Sequence, residues 1–104
     1  MRNMALSYSI TYTPRAVREL SEIREYITEN FYAPDIANKQ VERIVKTIKT
    51  LAIFPKRYKI RSQQSGMRLC PVDNYAVLYS IDDENKTVNI SRIIYARRDF
   101  DRLI

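Results

Sequence analysis

Arginine is the residue type in this sequence with the most to offer a ligand or a reaction. Arg68, Arg97 and Arg98 lie near or within apolar, strand-like runs, and Tyr95 precedes the last two. A guanidinium binds phosphate or carboxylate oxygens through a planar set of donors and stays charged at any physiological pH. A tyrosine beside it adds a ring that can stack on a base. That combination points to gripping the anionic groups of a macromolecule; the structural alternative is salt bridging to Asp99 or Asp101, or plain solvation. The sequence has no histidine and one cysteine, Cys70. A Ser-His-Asp or Cys-His nucleophile is therefore excluded. A transition metal would find almost no ligands, and no cofactor is expected. Cys70 sits in an apolar run and reads as a small buried hydrophobe. A lone cysteine forms no internal disulfide, which agrees with a reducing, cytoplasmic compartment.

Formal net charge is +6, and the excess is concentrated. Between Lys39 and Val72 stand nine bases against one acid, Glu42. Lys39, Arg43, Lys46 and Lys49 recur at spacings of four and three, so they form one stripe if the segment is helical. Ordinary surfaces mix the two signs more evenly. The block implies a polyanionic partner: nucleic acid, a ribosome or an acidic protein segment.

The elements that must position these groups follow from periodicity. With 104 residues, the chain has room for one domain, 1–104. No apolar run approaches the roughly 20 residues that span a bilayer, so no membrane association is expected. Tyr8, Ile10 and Tyr12 alternate with polar residues, a strand pattern. Thr13-Pro14 reads as a helix start, with a capping hydroxyl followed by a proline in the first turn. Val17, Leu20, Ile23, Ile27 and Phe31 then form an apolar helical stripe. After a break at 30–33, Pro34 opens a second helix with Ala37, Val41, Ile44, Val45, Ile48, Leu51 and Ala52 inward. Phe54-Pro55 ends it.

A basic polar loop, 56–65, leads to three strands at 67–71, 75–81 and 87–96, joined by the short turns Asp73-Asn74 and 82–86. In the last strand Val88, Ile90 and Ile94 are expected on one face. Arg92, set among apolar neighbours, must snorkel or pair with a carboxylate. The tyrosines at alternating strand positions, Tyr8, Tyr75 and Tyr79, read as half-buried core. The fold class is α+β, in the order β-α-α-β-β-β. An N-terminal helical hairpin packs on one face of an antiparallel sheet. The other sheet face is expected to be open and to carry the function.

This order, taken with its residues, resembles the RelE/ParE toxin superfamily of type II toxin–antitoxin systems, on the ParE side. The resemblance rests on Tyr8-Ser9-Ile10-Thr11-Tyr12-Thr13-Pro14-Arg15-Ala16, Leu51-Ala52-Ile53-Phe54-Pro55 and Gly66-Met67-Arg68. It continues through Asn74-Tyr75-Ala76-Val77-Leu78-Tyr79 and Ile93-Ile94-Tyr95-Ala96-Arg97-Arg98-Asp99. It implies a growth-arresting toxin neutralised by a cognate antitoxin, with a small, acidic binding segment expected to meet Lys39, Arg43, Lys46 and Lys49. The ParE branch implies DNA gyrase as target. The RelE branch implies a ribosome-dependent mRNA endoribonuclease, for which Arg68, Arg97 and Arg98 are the catalytic candidates. For either target the contact residues are Arg68, Tyr95, Arg97 and Arg98. Ala76 stands where RelE has an arginine, about Leu103 where RelE has its late tyrosine, and Asp99 and Phe100 where related nucleases carry histidine. The nuclease set is incomplete, which favours gyrase. A non-toxic nucleic-acid-binding module would also explain the basic block, although no recognition-helix, zinc or RNP-type motif is present. A structural adaptor would need only the fold.

Overall fold

Thr13 starts the first helix as its residue type predicts. Its backbone is extended and its hydroxyl accepts from the Ala16 amide at 3.0 Å. The same hydroxyl donates to the Ser91 carbonyl at 2.8 Å, so one side chain caps the helix and ties it to the last strand. The computed structural model describes residues 7–96. Its elements are β1 (Ser9–Tyr12), α1 (Pro14–Phe31), α2 (Pro34–Thr50), β2 (Ile60–Ser62), β3 (Met67–Val72), β4 (Tyr75–Asp82) and β5 (Thr87–Tyr95). The α+β class and the helical hairpin on a sheet are as expected.

The sheet order is β1-β5-β4-β3-β2. The pairs β2–β3, β3–β4 and β4–β5 are antiparallel, whereas β1 runs parallel to β5, so the sheet is mixed. Short turns dictate the antiparallel pairs. No short turn links β1 to any other strand, so its direction is set by where the helical hairpin carries the chain. The short strand β2 lies inside the segment expected to be only loop.

Between Leu78 and Tyr79 the partner on β5 jumps from Arg92 to Ile90, which leaves Ser91 as a bulge. One extra residue reverses which face the following side chains take. Val88, Ile90 and Ile93 therefore all join the core under the helices, while Ile94 packs on the far face. The expected grouping of Val88 and Ile90 with Ile94 is corrected accordingly.

The core lies between the helices and the sheet. Ala37, Ile44 and Ile48 of α2 and Leu51 beyond it have no exposed surface, and they meet Cys70, Val77, Tyr79, Val88 and Ile90 from the sheet. Each large aliphatic side chain buried here contributes about 1.5–3 kcal/mol. Two members of the expected stripe on α1 lie outside it. Val17 is 51% exposed because its neighbour Ala16 takes the inward position, and Phe31, the last residue of α1, is 64% exposed.

The strand β1 stops at Tyr12, opposite Ile90, and among the described residues no strand pairs with the edge of β5 beyond it. Glu19 of α1 covers that edge. Its carboxylate accepts from the Ile93 amide at 2.8 Å and from Arg92 at 2.7 and 3.1 Å. Arg92 thus pairs with a carboxylate. On the sheet face away from the helices, Leu69, Ala76 and Leu78 are buried, with Met67, Ile94 and Ala96 packed against them. The centre of that face is apolar and closed rather than open as expected. No helix of the described residues is long and apolar enough to cross a membrane.

Candidate functional site

The inward positions of α2 leave its charged residues no choice of direction. Because Ala37, Val41, Ile44 and Ile48 are buried, Lys39, Arg43, Lys46 and Lys49 face solvent along one side. Arg43 is fixed in place: its Nε lies 2.9 Å from Asp73 Oδ2, and its Nη2 donates to Gln40 Oε1 at 3.2 Å. Gln40 donates to the same Asp73 oxygen at 2.9 Å. These two donors, Arg43 first, hold the Asp73 carboxyl below the usual carboxylate range. The cluster pins α2 to the turn between β3 and β4. Lys39, Lys46 and Lys49 form no ion pair among the described residues.

Beyond α2 the chain turns at Leu51–Phe54 into a loop whose shape is fixed from beneath. Tyr79 and Arg68 are cross-strand partners. The Tyr79 hydroxyl donates to the Pro55 carbonyl at 2.7 Å, and Arg68 Nη1 donates to the Tyr58 carbonyl at 2.6 Å. Burial pushes the Tyr79 hydroxyl up to about 12, so it remains a donor over the whole working range. Burial also raises Tyr58 and Cys70.

Two clamps on carbonyls three residues apart hold Lys56 and Arg57 outward. Lys56 reaches Asp83 at 3.2 Å, and Asp83 also accepts from Tyr8 at 2.6 Å. Arg57 lies over the Tyr58 ring at 5.2 Å, with its Nη1 3.4 Å from the Thr50 hydroxyl. Arg43, Lys46, Thr50, Arg57, Tyr58 and Asp73 line a groove of about 370 Å³ between α2, the loop and the turn after β3.

The residues expected to grip a target do not form one constellation. Arg68 lies on the helix-covered face beside Tyr79 and is occupied by the Tyr58 carbonyl. Tyr95, 59% exposed, packs edge-on against Tyr75 at 5.5 Å, at the other end of the sheet. Tyr75 and Tyr79, their partners on β4, are four residues apart, about 13 Å along the strand. Arg97 and Arg98, with Leu103, lie outside the described residues. Lys39, Arg43, Lys46 and Lys49 do form the expected stripe.

Sequence reasoning did not single out Arg57, which completes the groove, or the aromatic groove of about 470 Å³ at the other end, lined by Ile23, Tyr26, Ile27, Phe31, Tyr75 and Tyr95. The location of Arg57 directly after Pro55, within a run of bases, was the available signal. Nothing local marks Tyr26 and Phe31 as neighbours of Tyr95.

The family described as ParE toxin of type II toxin-antitoxin system, parDE, matches residues 10–100. No curated protein matches the sequence with significance. Among solved structures, the chromosomal ParDE system of P. aeruginosa superposes with a TM-score of 0.74 at 22% identity, covering 86% of this chain and 97% of that one. The RelBE2 toxin–antitoxin complex of Mycobacterium tuberculosis gives 0.65 at 24%, over 88% and 94% of the two chains. The archaeal RelE–RelB complex of Pyrococcus horikoshii gives 0.60 at 14%, over 88% and 98%. These identities speak for the fold, and the family match, spanning most of the chain, speaks for descent. The chain belongs to the ParE toxin family of type II toxin–antitoxin systems.

Proposed function

We propose that this toxin arrests growth by inhibiting DNA gyrase and does not cut mRNA. The observation that carries the reading is the chemistry of the sheet face away from the helices. There Met67, Leu69, Ala76, Leu78 and Ile94 form an apolar cluster. Cleavage of RNA by its own 2′-hydroxyl needs a group to take that proton, a group to protonate the leaving oxygen, and cations for the phosphate. Thioether and aliphatic side chains supply none of these. Arg68, the nearest base on β3, is on the other face and already donates to Tyr58. An arginine with a pKa above about 12 is in any case a poor proton acceptor. A surface with fixed cations and apolar patches suits binding and blocking a protein machine better than general acid–base catalysis.

Neutralisation follows from the same surface. A cognate antitoxin carrying acidic residues would cover the stripe Lys39, Arg43, Lys46 and Lys49. The solved neighbours named ParDE and RelBE2 include toxin–antitoxin assemblies, which supports a partner of this kind.

The test is a pair of assays on purified protein. Gyrase supercoiling should fall with added toxin in the absence of ribosomes, while mRNA in a translating extract stays intact. In cells, Arg97→Ala should weaken growth arrest through lost binding, with the soluble yield unchanged. Ribosome-dependent cuts at codon positions that vanish in Arg68→Ala or Arg97→Ala would replace this reading with a RelE-type nuclease.

A further inference from the structure

The groove between α2 and the Pro55–Tyr58 loop has a charge pattern that target choice does not explain. Lys39, Lys46, Lys49 and Arg57 are exposed and have no carboxylate partner among the described residues. The one carboxylate on the groove rim, Asp73, is already satisfied by Arg43 and Gln40, so it repels an incoming anion little. Glu42 is the only other acid between Lys39 and Val72. Four unmatched cations in one band are costly in self-repulsion and gain most from a polyanion.

Rigidity is the second observation. The helix α2 is 17 residues long, about 25 Å, and Arg43 fastens it to the β3–β4 turn. The loop carrying Arg57 is fastened by Tyr79 and Arg68. The backbone beneath these cations is therefore fixed, with Lys39, Lys46 and Lys49 along one straight helix and Arg57 flanking it across the groove, which suits a regular rod of phosphates. A flexible single strand is usually held by stacking its bases on exposed rings. Here one exposed ring, Phe54, lies beside the loop, too few to stack successive bases; Tyr26, Phe31 and Tyr95 line the other groove, and Tyr58 is half-buried beneath Arg57.

We propose that this groove is a binding site for the phosphate backbone of duplex DNA, independent of base sequence, with Lys46 and Arg57, which line it, as its principal contacts and Lys39 and Lys49 extending it along α2. The site goes beyond gyrase inhibition and does not depend on it. A toxin that holds duplex DNA directly would be concentrated wherever its target handles DNA. An acidic antitoxin segment on the same stripe would compete with that DNA.

The experiment is fluorescence anisotropy of a labelled mixed-sequence duplex of about 20 base pairs with the full chain, without gyrase. Four neutralised phosphates imply a salt slope of about −3.6, so affinity should fall roughly 100-fold between 50 and 200 mM salt. Lys46→Glu and Arg57→Glu should each weaken binding about tenfold or more, with an unchanged thermal midpoint because both side chains are exposed. Arg18→Glu, the same change in net charge in the separate cleft that Arg18 lines with Glu22 and Arg92, should bind as the wild type does.

Equal losses in Arg18→Glu and Lys46→Glu would reduce the effect to net charge and overturn the site. Tighter binding of a single-stranded RNA of the same length would overturn the duplex assignment. Binding of a poly-glutamate peptide without binding of DNA would also overturn it, leaving the stripe to the antitoxin. None of these outcomes bears on whether gyrase is inhibited, so the two readings fail separately.

Discussion

Glu19 carries more of this structure than its sequence position suggests. In the sequence it is one of seven charged residues on the outer side of an amphipathic helix, within reach of Arg15 one turn away, and its role is invisible there because Arg92 and the Ile93 amide lie more than 70 residues away. Arg92, in contrast, was legible as a problem: a base among apolar strand residues needs a carboxylate or a route to water, and only the choice was open. Glu19 resolves it while closing the β5 edge at the Ile93 amide. Glu19→Ala would leave that amide and the two-thirds-buried Arg92 without their acceptor, at about 2 kcal/mol of stability. Urea unfolding measures this, and a loss below about 0.5 kcal/mol would mean that water replaces the carboxylate freely. Arg68 shows the opposite limit. Its residue type invited an active-site reading, yet which face of β3 it occupies depends on register with Tyr79, and it serves as a clamp on the loop.

Among the elements, those defined by local signals were readable and those defined by distant pairing were not. Both helices, the Thr13 cap and the antiparallel run β3–β4–β5 follow from periodicity, a capping hydroxyl and short turns. The parallel seat of β1, the three-residue strand β2 and the bulge at Ser91 depend on partners far along the chain. The apolar but closed sheet face escaped reading for the same reason, since alternation gives a side chain's direction and not what packs over it.

The link between α1 and α2 offers a measurement at this scale. Tyr32 closes α1 in the left-handed region, at φ 49°, and is 90% exposed. A side chain there is strained by about 1–2 kcal/mol, part of which glycine returns as entropy of the unfolded chain. Tyr32→Gly should therefore raise stability by about 0.5 kcal/mol, and Tyr32→Val should lower it by about 1 kcal/mol or more. A thermal or denaturant midpoint that drops with glycine would show that the tyrosine ring contributes contacts worth more than the strain.

At the scale of the molecule, the described side chains with shifted values titrate at the two ends of the pH scale. Tyr12, Tyr58, Tyr75, Tyr79 and Cys70 are all raised, chiefly by burial, with Tyr79 at about 12. Groups whose folded value lies above the unfolded one stabilise below the unfolded value, and that contribution disappears as pH climbs toward the folded one. Stability should thus fall from about pH 9–10 upward. Asp73, Asp82 and Asp83 are lowered by their hydrogen-bond donors, so their contribution is present above about pH 4 and is lost on acidification. With no histidine in the sequence, nothing titrates strongly between these limits. Denaturant midpoints measured at one-unit steps should be level from about pH 5 to 8 and decline on both sides. A step near pH 6.5 would contradict this account.

The register of β1 against β5 also fixes an order of events during synthesis. Ile10 pairs beside Val88 and Tyr12 beside Ile90, so the first strand made is among the last to be seated. Until Thr87–Tyr95 has left the ribosome, β1 has no partner, Thr13 has no Ser91 carbonyl to hold, and Glu19 has neither Arg92 nor the Ile93 amide. Long-range pairing of this kind delays folding and leaves strand edges bare in the meantime. The strand β1, the Thr13 cap and the Glu19 carboxylate are consequently seated together in one late step, after translation has carried through to the last strand.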